Sequence, residues 1–139
     1  MKEWAHCCLA IYRDHRWFLQ ATTARQSPMG PNELAWMEAA SLAMLGESGL
    51  KSKERHHAFF TIIGYVRGHA TFQQARRSSA TGKEWMRQLA QTLQQEPNLY
   101  PALLDVLCSG AFNESIAGAF DFGLDCILNG IRAQANGTT

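Results

Sequence analysis

Apolar residues recur at spacings of three and four along almost the whole chain, and no segment sustains the period-two alternation of a half-buried strand. No Asn-Gly or Asp-Gly pair stands between apolar runs as a hairpin turn would require. That pattern leaves an all-α fold, a bundle of about seven helices of unequal length. Trp4, Cys8, Ile11 and Tyr12 form one stripe, which the Asp14–His15–Arg16 cluster ends before a short segment with Trp17 and Leu19. Gln26 to Gly30 reads as a loop. Pro31 suits a first helical turn, and the helix it opens runs to about Leu45, with Gly46 and Gly49 at its end.

Ser52 is the expected N-cap of the longest helix, about Lys53 to Arg77. Ser78 to Gly82 reads as a turn, and the next helix carries Trp85, Met86, Leu89 and Leu93 until Pro97 stops it. Pro101 to Cys108 is short, Gly110 is a break, and a last helix spans about Glu114 to Gln134. Its apolar face holds Phe120, Leu124, Ile127, Leu128 and Ile131; its polar face holds Asp121, Asp125, Asn129 and Arg132.

The 139 residues, 46% hydrophobic and 18% charged, fit one domain over 1–139 with a sizeable core. A net charge of +1 offers little to nucleic acid or to an acidic membrane surface. No apolar run reaches the roughly 20 residues of a membrane span, and Met1 to His6 do not resemble a secretory signal. The expected location is the cytoplasm. Cys7, Cys8, Cys108 and Cys126 lack CxxC spacing and are expected as free, mostly buried thiols.

Chemistry is sparse. His6–Cys7–Cys8 and His56–His57 are sequence neighbours that diverge on a helix, and HExxH, CxxC and EF-hand patterns are missing, so no metal or cofactor is expected. Without a nucleophile elbow, P-loop or dinucleotide fingerprint, an enzyme is not expected either.

Two features remain. Gly64 and Gly68 lie one turn apart inside the longest helix, where each costs about 1 kcal/mol relative to alanine. Close approach of another helix would offset that cost, either inside one subunit or between two. The last helix, with Gly118, Gly123 and Gly130, is the candidate partner. The second feature is Ser41 among methionines and leucines, which suits the wall of an apolar pocket or a core hydroxyl bonded back to a carbonyl. A pocket would draw on Tyr12, Met37, Ser41, Phe59 and Ile63, from three helices.

Several stretches match one family's motifs in order. Ser27-Pro-Met-Gly-Pro-Asn-Glu-Leu-Ala-Trp-Met-Glu38 resembles the opening of the third core helix in the ligand-binding domain of tetracycline-repressor (TetR) family regulators. Gly49-Leu50 is similar to the break before that family's long dimer helix, and Tyr65-Val-Arg-Gly68 to its Tyr/Phe-x-x-Gly element. Ala119-Phe-Asp-Phe-Gly-Leu124, continuing Cys126-Ile-Leu-Asn-Gly130, resembles the signature opening its final helix. The resemblance covers about residues 1 to 135.

It implies an effector-sensing, dimerising domain of a repressor, whose ligand would control DNA binding by the full-length protein. Operator DNA would be met through a helix-turn-helix domain not expected in this chain. The implied pocket positions are Tyr12, Met37, Ser41, Phe59, Phe60 and Ile63. The implied homodimer seam, a four-helix bundle of two long helices per subunit, runs through Gly68, Phe72, Phe120, Gly123, Leu124 and Leu128. The histidines that hold a metal–tetracycline ligand in the family's namesake have no counterpart over Thr22 to Ser27 or at Gly64, which points to a different, largely apolar effector. A stand-alone helical dimerisation module without ligand is the other reading of the same pattern.

Overall fold

The computed structural model describes residues 1–23, 30–45, 49–77, 81–111 and 116–137, and every element among them is helical. The order is α1 (Lys2–Asp14), α2 (Arg16–Thr23), α3 (Pro31–Leu45), α4 (Ser52–Arg77), α5 (Thr81–Gln95), α6 (Pro101–Cys108) and α7 (Ile116–Gly137). The loop expected over Gln26 to Gly30, the stop at Gly46, the turn over Ser78 to Gly82 and the start at Glu114 fall wholly or partly outside the described residues.

Local chemistry sets the boundaries. His15 ends α1, its amide donating to the Ile11 carbonyl at 2.8 Å, and α2 starts at the next residue. Pro31 opens α3 behind Gly30, whose carbonyl accepts from Glu33 and Leu34. Gly49 takes φ +58° before α4, a left-handed backbone in which a β-carbon would be strained. Ser52 is not the cap expected of it: it is the first helical residue, and the Glu54 carboxylate accepts from the Lys51 amide at 2.8 Å, half of a capping box.

α4 is the spine, with α1, α2, α3 and α7 packed around it. At 26 residues it is roughly 39 Å long, enough to meet every layer of the bundle. Its large stripe, Phe59, Ile62, Ile63, Val66 and Ala70, is buried against Ala5, Cys8 and Tyr12 of α1, Ala40 and Met44 of α3, and Phe120, Leu124 and Leu128 of α7. Trp4, Trp36 and Phe59 tie α1, α3 and α4 together, with ring centroids 5.1 to 5.7 Å apart. Such pairs each add about 0.5–1.5 kcal/mol beyond area burial. The polar face of α7 turns toward α1: Lys2 Nζ donates to both Asp125 oxygens at 2.8 Å, and His6 Nε2 lies 2.9 Å from Asp121 Oδ1. α5 and α6 pair with each other around the buried Leu93.

Two expectations need correcting. The cysteines are free, but only Cys8 is buried; Cys7, Cys108 and Cys126 are exposed. Among the described residues, Gly64 and Gly68 do not mark a close approach, because β-carbons there would meet nothing within 4 Å beyond their own helix. The close approach is at Gly123, where a β-carbon would sit 2.8 Å from Tyr65 Cζ and against its hydroxyl.

Candidate functional site

A cavity of about 470 Å³ opens where the ends of α1 and α2, the start of α3 and the middle of α4 converge. That volume suits a small organic ligand. The break at His15 makes the cavity possible. It lets α2 turn away from α1, so Trp17 and Phe18 lie across from Tyr12 rather than continuing its stripe. Phe18 stacks on Tyr12 at 5.8 Å, and Trp17 meets Phe18 edge-on at 5.7 Å. Tyr12 is 2% exposed and forms the floor; Trp17 is 66% exposed and stands at the mouth. Trp36 of α3 supplies a third aromatic wall.

The polar groups are few and placed. Arg67 Nε donates to the Tyr12 hydroxyl at 3.1 Å, and Gln74 Nε2 donates to the Tyr12 carbonyl at 3.2 Å, so α4 fixes Tyr12 from both ends. Asn32 and Glu33 of the first turn of α3, with Thr22 of α2, complete the rim. The Thr22 hydroxyl is turned back onto its own helix, donating to the Phe18 and Leu19 carbonyls. No group of three or more His, Cys, Asp or Glu residues is placed to hold a metal ion among the described residues. Cys8 lies deeper in the core, where burial pushes its thiol up to about 12, far from a reactive thiolate. The site can enclose a ligand and orient it.

Of the expected pocket residues, the cavity takes only Tyr12. Phe59 and Ile63 are core residues on the buried stripe of α4, and Met37 packs against that core. The Ser41 hydroxyl donates to the Met37 carbonyl at 2.9 Å, the satisfied-core alternative for a hydroxyl on this stripe. Phe60 is half exposed on another face, against His56 at 4.8 Å between ring centroids. The physical reason is a shift of about one turn. On α3 the lining comes from Asn32, Glu33 and Trp36, and on α4 from Arg67, one turn beyond Ile63. Trp17, Phe18, Trp36 and Arg67 line the cavity without having been expected there; of these, Trp17 and Phe18 carried a legible signal, two aromatics directly after a helix break.

The expected seam is likewise divided. Phe120, Leu124 and Leu128 are buried in the subunit's own core, and Gly123 lies beneath Tyr65. Gly68 is exposed, and Phe72 is 56% exposed on the same face of α4. Phe122 of α7, which the expected seam omitted, is 75% exposed.

Residues 1–135 match the family model described as tetracyclin repressor-like, C-terminal domain. The chain belongs to that family. Tetracyclin repressor-like regulators are not enzymes, and the all-helical architecture of this chain agrees with the family. The domain is also similar to the HTH-type transcriptional repressor DrrR1 of Streptomyces coeruleorubidus, at 34% identity over 139 residues. The match covers 89% of this chain and 47% of that protein, so the chain spans about half the length of the curated relative it matches. No solved structure matches the chain. No helix among the described residues is long and apolar enough to cross a membrane.

Proposed function

We propose that this domain senses a small molecule in the cavity between α1, α2, α3 and α4, and that it does so as a homodimer within a cytoplasmic repressor. The observation that carries the reading is the aromatic-walled cavity of about 470 Å³, which is lined by α4 and the three helices α1, α2 and α3 packed on it. A ligand touching all four would favour one relative placement of those helices over another. An effector moves such an equilibrium by its differential affinity for the two states. DNA contact would be made by a helix-turn-helix part of the full-length regulator, as the name of the DrrR1 relative suggests, and not by these residues, whose net charge is +1.

Filling the cavity tests the reading. Ala21 lines it from an exposed position on α2, so Ala21→Trp should occupy the space without disturbing the core. A binder raises stability by RT ln(1 + [L]/Kd), about 2.7 kcal/mol at a hundredfold excess over Kd. In a thermal-shift screen, compounds that raise the Tm of the parent chain should leave Ala21→Trp unmoved. Equal shifts in both proteins would place binding elsewhere and remove the cavity from the mechanism.

A further inference from the structure

We propose that the cavity takes a planar aromatic anion, its rings held among Trp17, Phe18 and Trp36 and its acidic group set on the Arg67 guanidinium. The inference rests on the sensing role proposed above and adds the ligand's chemical class.

Charge inside the cavity carries the argument. Arg67 is a half-buried cation whose bond, from Nε to the neutral Tyr12 hydroxyl, brings it no counter-charge. Among the described residues no carboxylate pairs with it. A guanidinium has five N–H donors in a planar fork that fits a carboxylate with two parallel bonds, and one hydrogen bond leaves most of that fork to be used. A partly desolvated charge without a partner is costly, and a bound anion would relieve it. Tyr12 holds the Nε end, which fixes the direction of the rest.

Glu33 is the carboxylate lining the cavity, and it lies at the first turn of α3. It takes part in an interaction of its own and does not pair with Arg67. The shape requirement comes from the walls. Trp17, Phe18 and Trp36 offer faces and edges on which a flat ring system gains stacking contacts, with exposed Trp17 able to settle over it at the mouth. Aliphatic acids would satisfy Arg67 and leave those faces unused.

Three isosteric probes test this on the whole 139-residue chain, read by quenching of tryptophan fluorescence and by thermal shift: anthracene carboxylate, its hydroxymethyl analogue and its aminomethyl analogue. The expected result is that the carboxylate binds at least about tenfold more tightly than the neutral probe, as a charged hydrogen-bonded pair supplies. The aminomethyl probe should bind most weakly. Arg67→Leu should bring the carboxylate down to the neutral probe's affinity, while Arg67→Lys keeps part of the preference. The comparison among probes on the unmodified protein stands even if Arg67→Leu folds poorly. Equal binding of carboxylate and neutral probe, or tighter binding of the ammonium probe, would overturn the anion assignment and leave the cavity as a sensor site. Failure of all three to bind would overturn the assignment of a planar aromatic anion, while the sensing role stands or falls by the Ala21→Trp comparison.

Discussion

Cys8 shows how far a single position is governed by its surroundings. On the buried face of α1 its thiol is pushed from an ordinary 9.0 up to about 12, chiefly by removal from water, with contact from Trp36 offsetting a little. The folded state therefore holds this proton more tightly than the unfolded chain does. Stability from this group is fully present below pH 9 and is lost as pH rises from there toward 12, because the unfolded state ionises first. Tyr65 adds in the same direction, its hydroxyl also pushed up by burial, then by the charges of Asp121 and Cys126. Denaturant unfolding between pH 8 and pH 11 should show a falling midpoint above about pH 9. Cys8→Ala should flatten that fall while lowering stability at neutral pH. At pH 8 a thiol reagent should modify the exposed Cys7 and Cys108 in the folded protein and spare Cys8. A stability profile flat to pH 11 would contradict the burial argument. The sequence could name these four thiols as unpaired but not sort them. Adjacent Cys7 and Cys8 point about 100° apart on a helix, so α1 can bury only one of them against α4.

At the scale of elements, the junction of α4 and α7 turns on what Gly123 lacks. With no side chain there, the Tyr65 hydroxyl reaches the α7 backbone and donates to the Phe120 carbonyl at 3.0 Å, with Ala119 at 3.2 Å. The Tyr65 ring stacks on Phe120 at 5.4 Å, and the His69 ring lies 5.0 Å from Phe120. Gly123→Ala would gain up to about 1 kcal/mol of helix propensity, yet it would drive a methyl into the Tyr65 ring. The net effect should be a loss of about 1–2 kcal/mol, the cost of overpacking exceeding the propensity gain. Introducing Gly123→Ala into a Tyr65→Phe background should cost less than in the parent, since the nearest clash is with the hydroxyl. Additive costs in a double-mutant cycle would break the proposed link. The helices themselves were legible because capping, proline placement and three-and-four periodicity are local properties. Pro31, His15 and Pro101 stand at boundaries set by their own chemistry. Which neighbour each apolar stripe meets is not local. The stripe through Phe120, Leu124 and Leu128 would look the same against a second subunit as it does against this subunit's own α4. Ser41 poses the same problem on a smaller scale, for a hydroxyl bonded to its own helix carbonyl has the sequence signature of one lining a pocket. The cavity was partly hidden for this reason, since it draws on four elements and on α2 most of all.

For the whole molecule, the core accounts for one side of α4 and leaves the other in need of explanation. Thr61, Gly64, Gly68, Phe72 and Ala75 form an exposed stripe along it, and α7 presents Gly118, Ala119, Phe122 and Cys126. Two phenylalanines this exposed on the long helices, with glycines among them, suit a second copy meeting the first across a two-fold axis. The seam of the proposed dimer then lies on this face. On this proposal Gly68 and Phe72 of α4 and Phe122 of α7 would line the seam. Because, beyond its chain neighbours and its own helix backbone, no atom of the described residues lies within 4 Å of a β-carbon at Gly68, there is room for a larger residue there. Gly68→Leu should leave the protomer folded and raise its helix propensity by close to 1 kcal/mol. Across a tight seam the same side chain would force the two copies apart, at a cost of about 1–3 kcal/mol per overpacked contact. Since a two-fold axis places the change on both subunits, association should weaken by at least about tenfold. Sedimentation at micromolar concentration should therefore show a dimer for the parent chain and a shift toward the 15.5 kDa protomer for Gly68→Leu, with helical circular dichroism retained in both. A substitution acting only on the fold would lower stability and association together; opposite movements of the two are what a seam on this face requires. An undiminished dimer in Gly68→Leu would place the contact between subunits somewhere other than the glycine face of α4.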